Sequence, residues 1–287
     1  MSQTLMRGLS LLESVDMHGP LTITELSRLS GVDISIVSRT ISALEGDGWV
    51  VRSEGKVELG PRAALLGHTS AGAGVVRRAE PLVHAVAGVT GLLAQAYCLV
   101  GTRAVVLAAA GGRGQGTPTG LGVSVPLFAT AAGKMVAAQL DSAELTRRLP
   151  SEPYPDPAEE LARLIGYRPP AGAMLSGPDG PGVSTHAVAQ HREQLDRELE
   201  GIREAGMASD RGELDPELGC LAVAWSQAGV ACALACLGAP AEIAAAETVV
   251  RTALLAASAP GARPEDVVAE TGKVLGELSR ASDDGRP

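Results

Sequence analysis

Between Leu21 and Leu59 the chain reads LTITELSRLSGVDISIVSRTISALEGDGWVVRSEGKVEL, and start and stop signals follow one another there at short intervals. Thr22 and Glu25 have the spacing of a capping box, in which each side chain satisfies a free amide at a helix start. That helix buries Leu26 and Leu29 and stops at Gly31; Gly31 and Val32 make the turn. A second start follows at Asp33, whose carboxylate can accept from the amides of the next turn, and that helix runs to Glu45 before Gly46 and Gly48 close it. Trp-Val-Val-Arg (49–52) and Lys-Val-Glu-Leu (56–59), joined by Ser-Glu-Gly, read as a two-stranded hairpin. Upstream, Leu5, Leu9, Leu12 and Val15 recur at helical spacing and predict one more amphipathic helix, ending near His18-Gly-Pro.

Helix, helix, tight turn, helix and hairpin is the order of a winged helix-turn-helix, in which the helix after the turn reads the major groove. At about 100° per residue, Ile34, Val37, Ile41 and Leu44 fall in one narrow arc. Arg39 lies opposite, with Ser35, Ser38 and Ser42 on the flanks. Residues 34–44 hold no acidic side chain, although residues 1–62 carry 8 acids against 6 bases. Such a face enters a phosphate-lined groove without repulsion: the helix's free N-terminal amides can meet a phosphate, and Arg39 can bond a guanine edge through two parallel donors. The expected DNA contacts are Ser35, Ser38, Arg39, Thr40 and Ser42 on this helix, with Arg52 and Lys56 beside the hairpin tip. The alternative for these residues is a three-helix module that docks on another protein with the serines as a solvated face.

Composition limits what the rest can be. The 287 residues are 45% hydrophobic and only 2% aromatic, with a formal charge of −9, which suits an ordinary folded chain and excludes a broad cationic surface. Any nucleic-acid contact must be local. The start MSQTLMRGLS lacks the order of a secretory signal and no apolar run is long enough to span a bilayer, so a cytoplasmic protein without membrane contact is expected. Cys98, Cys220, Cys232 and Cys236 are too few for a disulfide framework and include no C-x-x-C.

Beyond a Gly- and Ala-rich connector at about 61–80, short apolar runs pair around turns: 94–100 with 104–109, and 221–225 with 230–237. Helical stretches at about 128–149, 187–205 and 240–258 would cover one side of the resulting antiparallel sheet, giving an α+β domain. Two loops rich in Pro and Gly, near 111–122 and 150–185, interrupt the pattern. Enzyme motifs are wanting. The glycine-rich stretch holds no G-x-G-x-x-G, and Phe128 stands where a phosphate loop ending at Gly133-Lys134 needs glycine. Ser124 lacks the final glycine of a nucleophile elbow. Cys232 and Cys236 would lie about 13 Å apart on a strand, too far to share a zinc ion. His186 and His191 read as solvated.

Three stretches together, LTITELSRLSGVDISIVSRTISALEGDGWVVRS with the following ELGPR, VPLFATAAGKMVAAQL (125–140) and LEGIREAGMASDRGELDPELGCLAVAW (199–225), resemble the IclR family of bacterial transcriptional regulators. The resemblance implies a winged helix-turn-helix DNA-binding domain at 1–61, a linker helix at 62–80, a GAF-like effector-binding domain with a curved antiparallel sheet at 81–280, and a disordered tail at 281–287. It also implies a regulator that represses from a palindromic operator as a homodimer or tetramer, under control of a small-molecule effector. The effector contacts it implies are Ala131, Ala132 and Gly133 at a helix start, Asp210, Glu213 and Cys220 around one strand, and Cys236 on the last strand. A helix start lined by small residues could seat a carboxylate. The chain departs from the family pattern at Gly120, where an arginine is usual, and at Cys236-Leu237-Gly238, where Ser-x-Ser is usual, so a less polar cavity is expected. No cofactor and no catalytic residue is expected; the rival reading is an enzyme using Cys220 with Asp210.

Overall fold

The computed structural model of the chain describes residues 3–68, 71–111, 121–156, 189, 191–211, 217–227 and 229–284. Two compact units divide at Val75/Val76. The first runs through α1 (Gln3–His18), α2 (Ile23–Ser30), α3 (Ile34–Gly46), the strands β1 (Val50–Ser53) and β2 (Lys56–Leu59), and α4 (Pro61–His68). Its local chemistry matches the sequence signals closely. Thr22 and Glu25 form the full capping box, Gly31 takes the left-handed conformation that ends α2, and the Asp33 side chain accepts from the Ser35 amide to start α3. Glu54 and Gly55 both have positive φ at the tip of β1–β2, the geometry that matches strand twist in a two-residue hairpin.

The core of this unit is Leu11, Val15, Leu21, Leu26, Val37, Ile41, Val50 and Val57. On the first two helices three expected core positions are not in it: Leu5 and Leu9 on α1 and Leu29 on α2 are exposed. The helical period marks an apolar stripe, but a module this small has neighbours to cover only part of it. Gly60 is required for a different reason, because a Cβ there would stand 2.3 Å from the Gly48 carbonyl oxygen.

The connector expected at 62–80 is helical in two pieces: α4, then α5 (Ala71–Thr90), which passes the expected boundary at residue 81 and runs into the second unit. That unit is built on a curled antiparallel sheet of six strands in the order β5 (Ser124–Pro126), β4 (Arg103–Ala110), β3 (Leu93–Val100), β8 (Cys232–Gly238), β7 (Gly219–Ala224), β6 (Ala208–Arg211). The helices are α6 (Ala131–Ala138), α7 (Ser142–Arg148), α8 (Arg192–Ala205), α9 (Pro240–Ala245), α10 (Glu247–Ser258) and α11 (Pro264–Asp284). They cover both faces of the sheet, not one. Strands alternate their side chains. Leu93, Tyr97, Cys220, Ala222, Ala233, Ala235 and Leu237 join the core built around α6 and α8. The alternate residues Ala94, Ala96, Leu221, Val223, Leu234 and Cys236 are buried too, on the side where α9 and α10 meet β7 and β8. The last helix was not expected, and it carries regular structure to Asp284, into the stretch read as a disordered tail. No described helix is long and apolar enough to cross a membrane.

Candidate nucleic-acid interface and ligand site

On α3 the buried side chains are Val37 and Ile41, with Leu44 half-buried. Ile34, placed by its wheel position in the same arc, is instead 48% exposed, because it stands in the first turn, ahead of the neighbours that cover the later positions. The exposed residues are therefore Ile34 at the helix start and, on the outward face, Ser35, Arg39, Ser42 and Ala43. Much of its polarity is already engaged. The Ser35 hydroxyl donates to Asp33, Arg39 Nε donates to the Ser35 carbonyl, and Ser42 Oγ accepts from Arg52 Nη2. Arg52 also pairs with Glu45 at 3.2 Å, so it leans from the hairpin onto α3. Thr40 is half-buried and its hydroxyl donates back to the Ile36 carbonyl. Ser38 is half-buried and Lys56 is exposed beside the hairpin tip.

The start of α3 is not an open anion site. Asp33 already accepts from the Ser35 amide, and hydrogen bonds from the Ser35 hydroxyl and amide hold its carboxyl below the usual range, so it stays charged. A phosphate approaching there meets a carboxylate.

In the second unit the expected ligand residues fall into three groups. Asp210 on β6 is the register partner of Cys220 on β7, and both are buried. The Ala132 amide at the start of α6 is a hydrogen-bond donor to the Cys220 thiol. Burial, then the nearby Asp210 carboxylate and the Cys236 thiol, push the Cys220 thiol well above the ordinary range. Asp210, Cys220 and Ala132 are thus one cluster. Cys236 does not join it directly: its register partner is Leu221, not Cys220, and its thiol lies near Thr90 of α5, whose hydroxyl donates to the Val86 carbonyl. It lies on the opposite face of the sheet, with its thiol pushed up to about 12 by burial. Glu213, Gly120 and His186 lie outside the described residues.

Gly133 has a packing reason of its own. A Cβ there would stand 2.1 Å from the Pro126 carbonyl oxygen, so glycine is what lets α6 start against the end of β5. Its amide is held by the Thr130 cap at 3.0 Å. The first turn of α6 therefore spends two of its amides on protein partners, Cys220 and Thr130. One residue along, Lys134 is buried and pairs with Glu198 of α8 at 2.6 Å.

Two further polar side chains belong to the cluster and were not expected. Tyr97 and Gln95 on β3 are buried on the α6 side, and the Tyr97 hydroxyl donates to Gln95 Oε1 at 2.5 Å. Burial and the neighbouring Cys220 raise the Tyr97 hydroxyl well above its ordinary value. A glutamine and a tyrosine two apart in an otherwise apolar strand is the signal that could have found them. Ser124 is a strand residue of β5 paired with Val105, and no metal-binding group of His, Cys, Asp or Glu occurs among the described residues. An open cleft of about 370 Å³ lies elsewhere, beside Leu99, Gln139, Arg148 and Ala231. Its arginine is committed to Glu144 and the Gly101 carbonyl.

A sequence model of the MarR family matches residues 6–57, the stretch from α1 into β2. No curated protein matches the chain. Among solved structures it is similar to an IclR homologue from Microbacterium hydrocarbonoxydans complexed with 4-hydroxybenzoate, at 19% identity over 93% of this chain and 100% of that one, with a TM-score of 0.62. It is also similar to an IclR transcriptional regulator from Alicyclobacillus acidocaldarius (21% identity, 90% and 97% covered, TM-score 0.60). A third is an IclR family transcriptional regulator from Brucella abortus (18% identity, 94% and 92% covered, TM-score 0.55). Over nearly its whole length the chain has the fold of these regulators: a winged helix-turn-helix followed by a curled antiparallel sheet with helices.

Proposed function

We propose that the chain is a cytoplasmic transcriptional regulator that binds a palindromic operator through α3 and represses from it as a homodimer or tetramer, with a small molecule held beside Asp210 and Cys220 setting its DNA affinity. The observation that carries the reading is the joining of a winged helix-turn-helix, whose outward α3 face is free of acid from Ile34 to Leu44, to a domain that encloses a buried polar cluster. On α3, Ser35, Ser38, Arg39 and Ser42 face the groove, Arg39 turning from the Ser35 carbonyl to a guanine edge. Arg52 and Lys56 touch phosphates. Thr40 acts by holding the helix, not by contact. Exposed Leu5, Met6 and Leu9 on α1 favour a second copy as their cover.

In the second unit, Asp210, Tyr97 and Gln95 would offer the effector hydrogen-bonding groups, and Ala131, Ala132 and Gly133 let it approach the backbone. A hydroxylated aromatic acid, such as the 4-hydroxybenzoate held by the Microbacterium homologue, is the first probe. Cys220 makes a poor nucleophile, since a thiol pushed up by burial is protonated at neutral pH; that argues against an enzyme built on Cys220 and Asp210.

The test is a mobility shift of the DNA upstream of the chain's own coding region, at several salt concentrations, with and without 4-hydroxybenzoate and related acids. Binding that survives competitor DNA and weakens with salt is expected. Arg39→Ala should weaken specific binding by about 1–3 kcal/mol and relax one base preference. Lys56→Ala should weaken all sequences alike. Non-specific binding only, unaffected by Arg39→Ala, would remove α3 as the reader.

A further inference from the structure

The first turn of α3 carries an exposed aliphatic side chain that the core of its own module does not cover. The Ser35, Thr40 and Ser42 hydroxyls and Arg39 Nε each have a hydrogen-bond partner in the protein. Ile34, the first residue of α3, is 48% exposed, while Val37 and Ile41 on the same helix are fully buried. Side chains in a helix lean toward its N-terminus, so this isoleucine leads the helix into whatever α3 enters. Beside it the Asp33 carboxylate occupies the amide that a phosphate would otherwise use, and it stays charged. An end of a helix that repels phosphate and presents an aliphatic group suits the floor of a groove and not its walls. In the major groove the apolar group displayed by a base edge is the thymine 5-methyl.

We propose that Ile34 reads a thymine methyl, and so sets a base preference separate from the one set by Arg39. The inference rests on the DNA-reading role of α3 and adds a position to it. Ile34 and Arg39 are five residues apart, about 7.5 Å along the helix axis. With base pairs stacked about 3.4 Å apart, the thymine falls roughly two steps from the base that Arg39 contacts.

The full-length protein is used to select its site from a random double-stranded library, and each thymine of the selected site is then replaced singly by deoxyuridine. That change removes the methyl and leaves every hydrogen-bonding group in place. At one position per half-site Kd should rise about fourfold, the ratio that corresponds to ~0.8 kcal/mol for one buried methyl-sized group. Ile34→Ala should bind the thymine and deoxyuridine sites equally, whereas Ile34→Val should keep most of the difference. Arg39→Ala should lose affinity for both sites and keep the thymine preference. Far-UV circular dichroism checks that Ile34→Ala is folded, as expected for an exposed position. A selected site with no response to deoxyuridine, or a response that persists in Ile34→Ala, overturns the role of Ile34 while leaving DNA binding intact. Failure to select any site overturns the regulator reading itself, and the inference with it.

Discussion

The two units reach order by opposite routes. In the first, almost every element begins or ends on a local device: the Thr22–Glu25 box, the left-handed Gly31, the Asp33 cap, the Glu54-Gly55 turn. Its core, among the described residues, is eight aliphatic side chains. In the second, the centre of the sheet is rich in alanine and cysteine, and the contacts that matter join residues far apart in sequence, as Gln139 Nε2 to the Cys232 carbonyl and Arg203 Nε to the Ala138 carbonyl. Local signals set the bounds of each element in the first unit, over a core that rests on a few large aliphatic side chains. Small side chains under close-packed helices leave the second little room for added bulk.

The contrast can be broken most directly at Gly133. Gly133→Val places a side chain 2.1 Å from the Pro126 carbonyl oxygen and should cost the second unit about 3 kcal/mol or more. Trp49 and Trp225 are the only tryptophans, one in each unit, so single-tryptophan variants follow each unit separately. Urea denaturation followed by Trp225 should move to lower urea while the Trp49 transition stays in place. An equal shift in both would mean that the units unfold as one. Leu26→Ala is the matching lesion in the first unit: a fully buried leucine whose loss should cost about 2–5 kcal/mol in the Trp49 transition.

Those two lesions also separate what could be read in the sequence from what could not. Caps and turns are one-dimensional: Thr22, Gly31 and Asp33 act on amides within a few residues of themselves, so their pattern is their structure. Burial at the margin of an apolar stripe depends on what lies across from it, which is why Leu29, Leu5 and Ile34 were assigned to a core that does not reach them. Across a sheet, parity within one strand says nothing about parity in its neighbour until the register is known. Cys220 and Cys236 look equivalent in sequence and fall on opposite faces because Cys236 pairs with Leu221. The helix Pro264–Asp284 was obscured by Gly272 and Gly276 in its middle, although its proline start and the acids Glu265 and Asp266 in its first turn are proper opening signals. That Gly133 also lets α6 start against the Pro126 carbonyl depends on a strand end that no local pattern places beside it.

A smaller effect sharpens the comparison from the side of local devices. Thr22→Ala removes a hydroxyl that accepts from the Glu25 amide and should cost about 1 kcal/mol in the Trp49 transition, with no change in that of Trp225. Leu29→Ala, three residues beyond Leu26 on the same helix but exposed, should stay within about 0.5 kcal/mol of the parent. A loss there comparable to that of Leu26→Ala would show that another surface covers it in solution.

The smallest expected effect is that of mild acid, and its sign follows from the two caps. Backbone and side-chain hydrogen bonds from Thr22 lower the Glu25 carboxyl, and those from Ser35 lower that of Asp33. In the unfolded chain both titrate in the ordinary carboxylate range near pH 4. A carboxyl held lower in the folded state adds stability that is complete above that range and is lost as the pH falls through it toward the folded value. Both carboxyls are on the surface, so the effect is modest and screened by salt. Between pH 6 and pH 3 the Trp49 midpoint should therefore fall, and Glu25→Gln together with Asp33→Asn should flatten that fall, since the residue 22 backbone N–H would hold a Glu25 carboxylate even without the Thr22 hydroxyl. The clustered groups of the second unit behave differently, because burial pushes the Cys220 thiol and the Tyr97 hydroxyl up, and both remain protonated throughout this range. A pH dependence of the Trp49 midpoint that persists in the double variant would place the responsible carboxylates elsewhere in the first unit.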